Sequence, residues 1–595
     1  MSIIVQKFGG TSVADAEKIQ AAARKAIRAQ QRGHQVVMVV SAMGKNTDAL
    51  LELAGQLHEN PPSRELDMLL STGEQVSVAL VAMAIDALGC KAVSLTGGQI
   101  GVLTDNSYGR ARIQSIAIDR MKSFLDEGNI VIAAGFQGVD EEMNITTLGR
   151  GGSDTTAVAL AAVLGAEACE IYTDVDGVYT TDPRLLPEAR RADMISYDEM
   201  LELASLGAGV MHNRSIEFAK KFGVPIHVRS SFSDAEGTMI VAVPESETAA
   251  VCGAAMTRDE ARVTVLGIPD VPGTSLEVFS AISDRKIAID MIVQNIGAEG
   301  QADISFTVQR SDLQNTLEAV HEAAANLGAL GVTYDDEVSK VSVVGCGMAK
   351  QPGVAHRMFR ALANAGVNIE MITTSEIKIS VLVRRDQSIT ALRAVHNAFQ
   401  LVDPPVDKRS WEQVRSRQAA PSNLDSLLAR AQETALEELM LTGIALTEGE
   451  ARMTLRGVPD VPGIAADLFE SVADAGIFVD MIVQGIDGEE GWTSVSLTVR
   501  QEDLAHCLDV GNRLAEKHQL RGVQAGKGIA KLTVSGIGLR SHTSVGTLMF
   551  KTLADAGINV QMINTSELQV NAVVDETHGK LGLDKLNDAF ANVLQ

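Results

Sequence analysis

Through the first 245 residues, short apolar runs alternate with longer stretches in which apolar positions recur every three or four residues. IIVQKF (3–8), QVVMVVSAM (35–43), KAVSLT (91–96), NIVIAAGF (129–136) and CEIYTDV (169–175) read as strands. The stretches at about 13–31, 65–88 and 110–127 carry helical spacing, and Ser12 with Asp15 predicts a capping box at the start of the first. Such alternation predicts a mostly parallel sheet between two layers of helices, with ligands beyond the carboxyl ends of the strands.

After residue 250 the pattern becomes repetition. VLGIPDVPG (265–273) recurs as LRGVPDVPG (455–463), and IDMIVQN (289–295) as VDMIVQG (479–485), both 190 residues on. NAGVNIEMITTSE (364–376) recurs as DAGINVQMINTSE (555–567) at an offset of 191. Each unit reads strand, helix, strand, strand, helix, strand, a ferredoxin-like order. The expected division is 1–245, 251–335, 336–402, a linker at 403–440, 441–525 and 526–595. The linker contains DPPVDKRS and AAPS, with one helix expected near 423–440. Units this small bury little surface alone and each offers an open sheet edge. They are expected to pair side by side, and a homodimer through those edges is expected.

Composition narrows the function. The 595 residues are 46% hydrophobic, enough for several packed units. A formal charge of −25 disfavours nucleic acid and anionic lipid as partners. Cys90, Cys169, Cys252, Cys346 and Cys507 are scattered, which suits unpaired thiols in a reducing compartment. The N-terminus carries no charged-then-apolar leader, and the apolar stretch at 77–90 is interrupted by Asp86, so a cytoplasmic location is expected.

The candidate chemistry sits in the turns of the first 245 residues. KFGGTS ends the first strand, SAMGKNT (41–47) follows the second, and LGRGGSDTTAVALAAVLGA (148–166) sets Arg150, Ser153 and Asp154 before an alanine-rich helix. Amides and the dipole at that helix start suit an anion, while Ser153 and Asp154 serve equally well as N-caps. Three such turns together exceed what capping requires. There is no GxxxxGK[ST], and GCGMAK (345–350) fails as GxGxxG at its last position. TDVDGVYTTDPR (173–184) lacks the glutamate of a calcium loop.

KFGGTS, VVSAMG (39–44), STGEQ (71–75), TTLGRGGSDTTA (146–157), YTDVDGVYTTDPR (172–184) and VRSSF (228–232) together resemble the aspartate kinase family, and the repeats resemble ACT domains. The resemblance implies a three-layer amino-acid-kinase sandwich followed by four ACT units in two pairs. It implies transfer of the ATP γ-phosphoryl to the β-carboxylate of aspartate, on the route to lysine, threonine and methionine. Lys7 would neutralise the transferring group, with Asp154 as its catalytic companion. Arg150 would take the substrate α-carboxylate and Glu74 its ammonium, with Ser41, Thr47, Ser153 and Asp154 completing the pocket. Phe8, Gly9, Gly10, Thr173, Asp174, Tyr179, Arg184, Gly209 and Val210 would hold the nucleotide, with Mg²⁺ riding on ATP and no metal site of the protein's own. At Gly209 the family usually has a lysine, a loss that Arg184 could offset.

Lysine and threonine are the effectors so implied. Their expected residues are Asp270, Ser275, Asp290 and Gln294, with Asp460, Ala465, Asp480 and Gln484 as counterparts. Val354, Ala355, Asn368, Ile369 and Ser375 correspond to Val545, Gly546, Asn559, Val560 and Ser566. Ala465 for Ser275 and Gly546 for Ala355 predict that the two pairs are not equivalent, to be separated by calorimetry on fragments 251–402 and 441–595. A kinase for glutamate or acetylglutamate, and a non-catalytic amino-acid sensor, are the rival readings.

Overall fold

The computed structural model describes residues 1–594 apart from 208, 297–299, 349–350, 352, 416–435, 438, 488 and 540–543. The helix expected near 423–440 lies, but for 436, 437, 439 and 440, outside the described residues.

In the first 245 residues the strands are β1 (Ile3–Phe8), β2 (Gln35–Val40), β3 (Ala92–Leu95), β4 (Val102–Thr104), β5 (Ile113–Ile116), β6 (Ile130–Ala134), β7 (Gln137–Val139), β8 (Ile145–Thr147), β9 (Ala168–Thr173), β10 (Met194–Ser196), β11 (Ile226–Ser230) and β12 (Thr238–Val241). The helices are α1 (Ala16–Gln31), α2 (Asn46–Leu57), α3 (Ser63–Ala87), α4 (Gly97–Ile100), α5 (Asp119–Asp126), α6 (Gly152–Leu164), α7 (Tyr197–Ser205) and α8 (Asn213–Phe222). Eight strands form one sheet in the order β10-β12-β11-β9-β1-β2-β6-β3, parallel except between β11 and β12. Along β2 the side chains alternate: Val36, Met38 and Val40 face a core with α1 and α3, while Val37 and Val39 face one with α6, α7 and α8. Both faces are dry, which is why the strands read as unbroken apolar runs.

Two expectations shift. The stretch 110–127 is not one helix but β5 followed by α5, and β5 belongs to a second sheet, β5-β4-β7-β8. The first helix is capped by Asp15, whose side chain accepts from the Lys18 N–H, and not by Ser12. Ser12 sits one turn earlier, in the 3-10 turn Gly10–Val13, where its hydroxyl meets that of Ser231. Finally, α3 is long and apolar enough to cross a membrane by composition, but its buried face carries Asp67, Ser71, Glu74 and Ser77, as befits a core helix beside a polar site.

The remaining strands are β13 (Gly253–Pro269), β14 (Ile289–Ile296), β15 (Gln301–Gln309), β16 (Gly331–Val344), β17 (Met371–Thr374), β18 (Lys378–Arg384), β19 (Met440–Pro459), β20 (Val479–Asp487), β21 (Glu489–Arg500), β22 (Gly522–Ile537), β23 (Met562–Thr565) and β24 (Gln569–Asp575). They run in the order β14-β15-β13-β16-β18-β17-β20-β21-β19-β22-β24-β23. β13 and β16 are long enough to serve two units each. The first part of β13 (253–257) pairs with 340–344, and its later part pairs with β15 and with 331–335. The second unit therefore takes its fourth strand from residues ahead of the first, and a division at 335/336 runs through the continuous strand β16. Gly345 and Gly347 of GCGMAK serve this crossing: a Cβ at either would lie 2.3 Å from the carbonyls of Ala250 and Ala249.

The open edges find partners inside the chain. β17 pairs antiparallel with β20 (Ile372↔Gln484, Thr373↔Val483), and Thr565 on β23 donates to the Asp290 carbonyl on β14 at 3.2 Å. The second unit thus abuts the third, and the first abuts the fourth. Their helices follow, with Phe359 against Phe469 (centroids 5.1 Å) and Phe279 against Phe550 (5.8 Å). Of the two edge contacts only β17 with β20 is a strand pairing; β14 and β23 remain the two ends of the strand order. Met291, Met371, Met481 and Met562, one from each repeat, meet in a single buried cluster. A soft, unbranched side chain suits a junction of four imperfect copies.

Candidate active site

The turns after β1 and β2 meet at the carboxyl end of the sheet because Gly10 has no side chain. A Cβ there would stand 2.7 Å from the Ala42 carbonyl, and in its place the Gly44 N–H donates to the Gly10 carbonyl at 3.0 Å. Gly9 is different: an added Cβ would sit 3.6 Å from the Lys7 ammonium, so this glycine leaves the space above the ammonium open. Beside them opens a cleft of about 560 Å³ whose walls include Lys7, Gly10, Ser41, Thr47, Glu74, Arg150, Ser153 and Asp154.

Lys7 Nζ lies 2.6 Å from Asp154 Oδ1, each side chain only 11% exposed. Asp154 stands in the first turn of α6, and no side chain caps that helix; its N-cap is Gly151 at φ 70°. The capping alternative for Ser153 and Asp154 is therefore not what this turn does. Glu74, on α3, is buried, and the Ala42 N–H donates to its Oε1 at 3.0 Å while Oε2 has no hydrogen-bond partner. Burial lifts this carboxyl to about 7, against the lowering effect of the Ala42 N–H. An orphaned carboxylate oxygen facing a cleft calls for a cation from outside. Arg150 is exposed at the rim. The site thus offers an ammonium held by a carboxylate, a second carboxylate short of a partner, and a free-standing guanidinium.

Residues that sequence reading passed over shape this cleft. Asp67 accepts from the N–H groups of Gly109 and Thr147 (2.9 and 2.7 Å) and from the Thr147 hydroxyl (2.8 Å), tying α3 to the second sheet. Burial raises its carboxyl above the usual range, although those bonds oppose the shift. In RELDMLL it reads as one more helix-surface acid. Phe136 lines the cleft at φ 70°, a rare conformation for a bulky residue and one that clusters at functional sites. The His212 Cβ packs on Gly151, where a Cβ would stand 2.2 Å away.

On the neighbouring strand, Tyr172 stacks on Phe8 at 4.7 Å and its carbonyl accepts from the Gly9 N–H at 3.3 Å, so Thr173 and Asp174 leave the sheet next to Gly9. Tyr179 donates to Asp176 at 2.8 Å. Arg184 is 85% exposed and its fork is engaged by Asp182 at 2.7–3.1 Å. Val210 packs on the core, whereas at Gly209 an added Cβ would meet only the Gly207 carbonyl, at 3.8 Å.

The repeat residues gather across units and not within halves. Asn368 donates to Asp460 (2.7 Å) and Gln484 to the Ile369 carbonyl (3.0 Å), in a pocket that also includes Ala465. Symmetrically, Asn559 donates to Asp270 (2.8 Å) and Gln294 to the Val560 carbonyl (2.8 Å), with Ser275 donating to Gln294 (3.0 Å). A second kind of pocket joins Val354, Ala355 and Ser375 to Asp480, and its counterpart joins Gly546 and Ser566 to Asp290. Val545 is buried on its helix and lines neither. Asp290 and Asp480 are each neutralised by a lysine, Lys340 and Lys531. Fragments 251–402 and 441–595 would each carry only half-sites. The pocket with Asp290 and Ser566 also reaches Lys378, which pairs with buried Glu202 of α7 at 2.8 Å, and Glu202 accepts from the Glu567 N–H.

The comparisons agree with this architecture. The model of the amino acid kinase family matches residues 2–230, and that of the ACT domain matches 263–324, 341–399, 455–510 and 532–590. The chain is 50% identical over 407 residues to the aspartokinase of Mycolicibacterium smegmatis, spanning 67% of this chain and 97% of that one. With the aspartokinase of Pseudomonas aeruginosa the identity is again 50%, over 68% and 99%. Among solved structures, the aspartate kinase from Synechocystis matches 100% of this chain and 98% of that one at 39% identity and TM-score 0.52. E. coli aspartokinase III in complex with aspartate and ADP matches over 67% and 99% at 26% identity and TM-score 0.57. The same enzyme has also been solved with lysine and aspartate, and matches at 25% identity and TM-score 0.55. A kinase domain with this cleft, four interlocked ACT units and half-identical relatives place the chain in the aspartokinase family.

Proposed function

We propose that the cleft phosphorylates L-aspartate on its β-carboxylate, giving 4-phospho-L-aspartate and ADP. The carboxylate nucleophile is ionised at neutral pH, so no general base is needed; positioning and charge neutralisation are the tasks. Lys7, oriented by Asp154, meets the γ-phosphoryl over the space that Gly9 leaves open. Arg150 takes the substrate α-carboxylate and Glu74 its ammonium, which supplies the partner its Oε2 lacks. ATP enters as its Mg²⁺ complex over Phe8, Gly9, Gly10, Thr173, Asp174, Tyr179, Gly209 and Val210. The observation that carries this reading is the meeting of Lys7, Asp154, Glu74 and Arg150 in one cleft.

The reaction opens the route to lysine, threonine and methionine, in the cytoplasm. The inter-unit pockets bind amino-acid effectors, with lysine and threonine as the candidates; lysine is the ligand in one E. coli relative. Three of these pockets are each lined by residues of at least two units of the same chain. A coupled ADP-release assay with a panel of amino acids tests the reading. Aspartate-dependent ADP release is expected, and turnover with glutamate or acetylglutamate in its place overturns it.

A further inference from the structure

The end of the linker lies against the kinase domain. Leu436 is buried in its core, with its N–H donating to the Gln114 carbonyl at 3.0 Å and its carbonyl accepting from Lys221 at 3.1 Å. Glu437 exchanges backbone and side-chain bonds with Ile113: its N–H donates to the Ile113 carbonyl at 3.1 Å, and its carboxylate accepts from the Ile113 N–H at 2.6 Å. The same carboxylate takes the Arg214 guanidinium at both oxygens, 2.7 and 2.6 Å, with side chains 14% and 7% exposed. Arg214 also donates to the carbonyls of Leu148 and Ala111.

Leu148 opens the turn that carries Arg150 and leads into Ser153 and Asp154 of α6, and three residues beyond Glu437 the chain enters β19, whose first part pairs with β22 in the fourth ACT unit. We propose that Glu437 is a positioning residue through which the second ACT pair holds the aspartate-binding loop: it orients Arg214, and Arg214 fixes the Leu148 carbonyl. The inference deepens the reading of Arg150 as the clamp on the aspartate α-carboxylate and rests on it. A carboxylate that takes one edge of a guanidinium with both its oxygens fixes orientation as well as charge. Taking it away leaves a mostly buried cation without its counter-charge and frees the loop. Since the pair touches neither nucleotide nor the transferring group, its loss falls on aspartate binding. A shift of the second pair on binding effector would withdraw Glu437 by the same path.

Steady-state kinetics on full-length Glu437→Ala, Glu437→Gln, Arg214→Ala and the double variant test this. For E437A the aspartate KM is expected to rise about tenfold or more, with kcat and the ATP KM within about twofold of wild type. E437Q, which retains an acceptor, falls between. R214A raises the aspartate KM, and adding E437A to it brings no further rise. An unchanged aspartate KM in E437A, an equal effect on ATP, or additivity with R214A overturns the inference. Should E437A not fold, a wild-type aspartate KM in E437Q overturns it instead. Arg150→Ala separates the two claims: if it raises the aspartate KM and the Glu437 variants do not, only this inference fails. If it leaves that KM unchanged, the site reading fails and takes this inference with it.

Discussion

The substrate cleft and the effector pockets are built on opposite plans. Lys7, Glu74, Arg150 and Asp154 all belong to one packed unit, and the sheet that holds them has a continuous core on each face. Asn368 with Asp460, and Asn559 with Asp270, bring together residues 92 and 289 apart from different units. A site inside one unit keeps its geometry while units move; a site between units exists only in one arrangement of them. That difference suits the first to chemistry and the second to switching, because a ligand bound between units biases their relative position.

The comparison can be broken most severely at Lys7. Lys7→Ala is expected to lower kcat by about a thousandfold, in the range seen for losing one preorganised charge, while calorimetry finds effector binding unchanged. Loss of both would mean that the two plans are not separate.

Glu74→Gln is next. Aspartate binding should fall by about a hundredfold, since an amide does not neutralise an ammonium. The stability effect has a definite sign. Burial raises this carboxyl from its ordinary range to about 7. Its stabilising contribution is thus full below the unfolded value and lost as pH climbs through about 7. The ligand-free variant should therefore melt a few degrees higher than wild type at pH 8 and no higher at pH 5. In the wild type, the aspartate KM should rise as pH falls below 7, as Glu74 takes up its proton. Thermal melts and KM values across that range check both.

On the regulatory side, Asn368→Ala and Asn559→Ala should each weaken one class of effector site by about tenfold, the value of roughly one lost hydrogen bond, and leave the other intact. Full-chain calorimetry reads this, and loss of both classes from either variant would show the pockets acting as a single site. The smallest effect is expected at Gly209→Lys. The position has room and no left-handed backbone requirement, and a restored cation should lower the ATP KM by two- to fivefold.

What the sequence displayed and what it hid follow the same divide. The apolar runs of β1, β2 and β6 announced a doubly covered parallel sheet because both faces are dry, and the Gly-rich turns announced the cleft because their residues are adjacent in sequence. The second small sheet stayed hidden because strands such as β4 and β7 are three residues long. Asp67 stayed hidden because its partners are backbone N–H groups, which leave no mark in a sequence. In the repeats, the units were plain but their partners were not: copies related at offsets of 190 and 191 have nearly interchangeable edges, and local pattern does not choose between them. Nor did it reveal that β13 and β16 each run on through two units.

The β17–β20 pairing and the contact between β14 and β23 have a consequence for the cell. Halves joined by one polypeptide meet at an effective concentration of about millimolar however dilute the enzyme is. An enzyme that completes its regulatory face by recruiting another subunit loses feedback as it is diluted below the dissociation constant. Here the response to effector should stay the same from the first few copies synthesised to a fully induced culture.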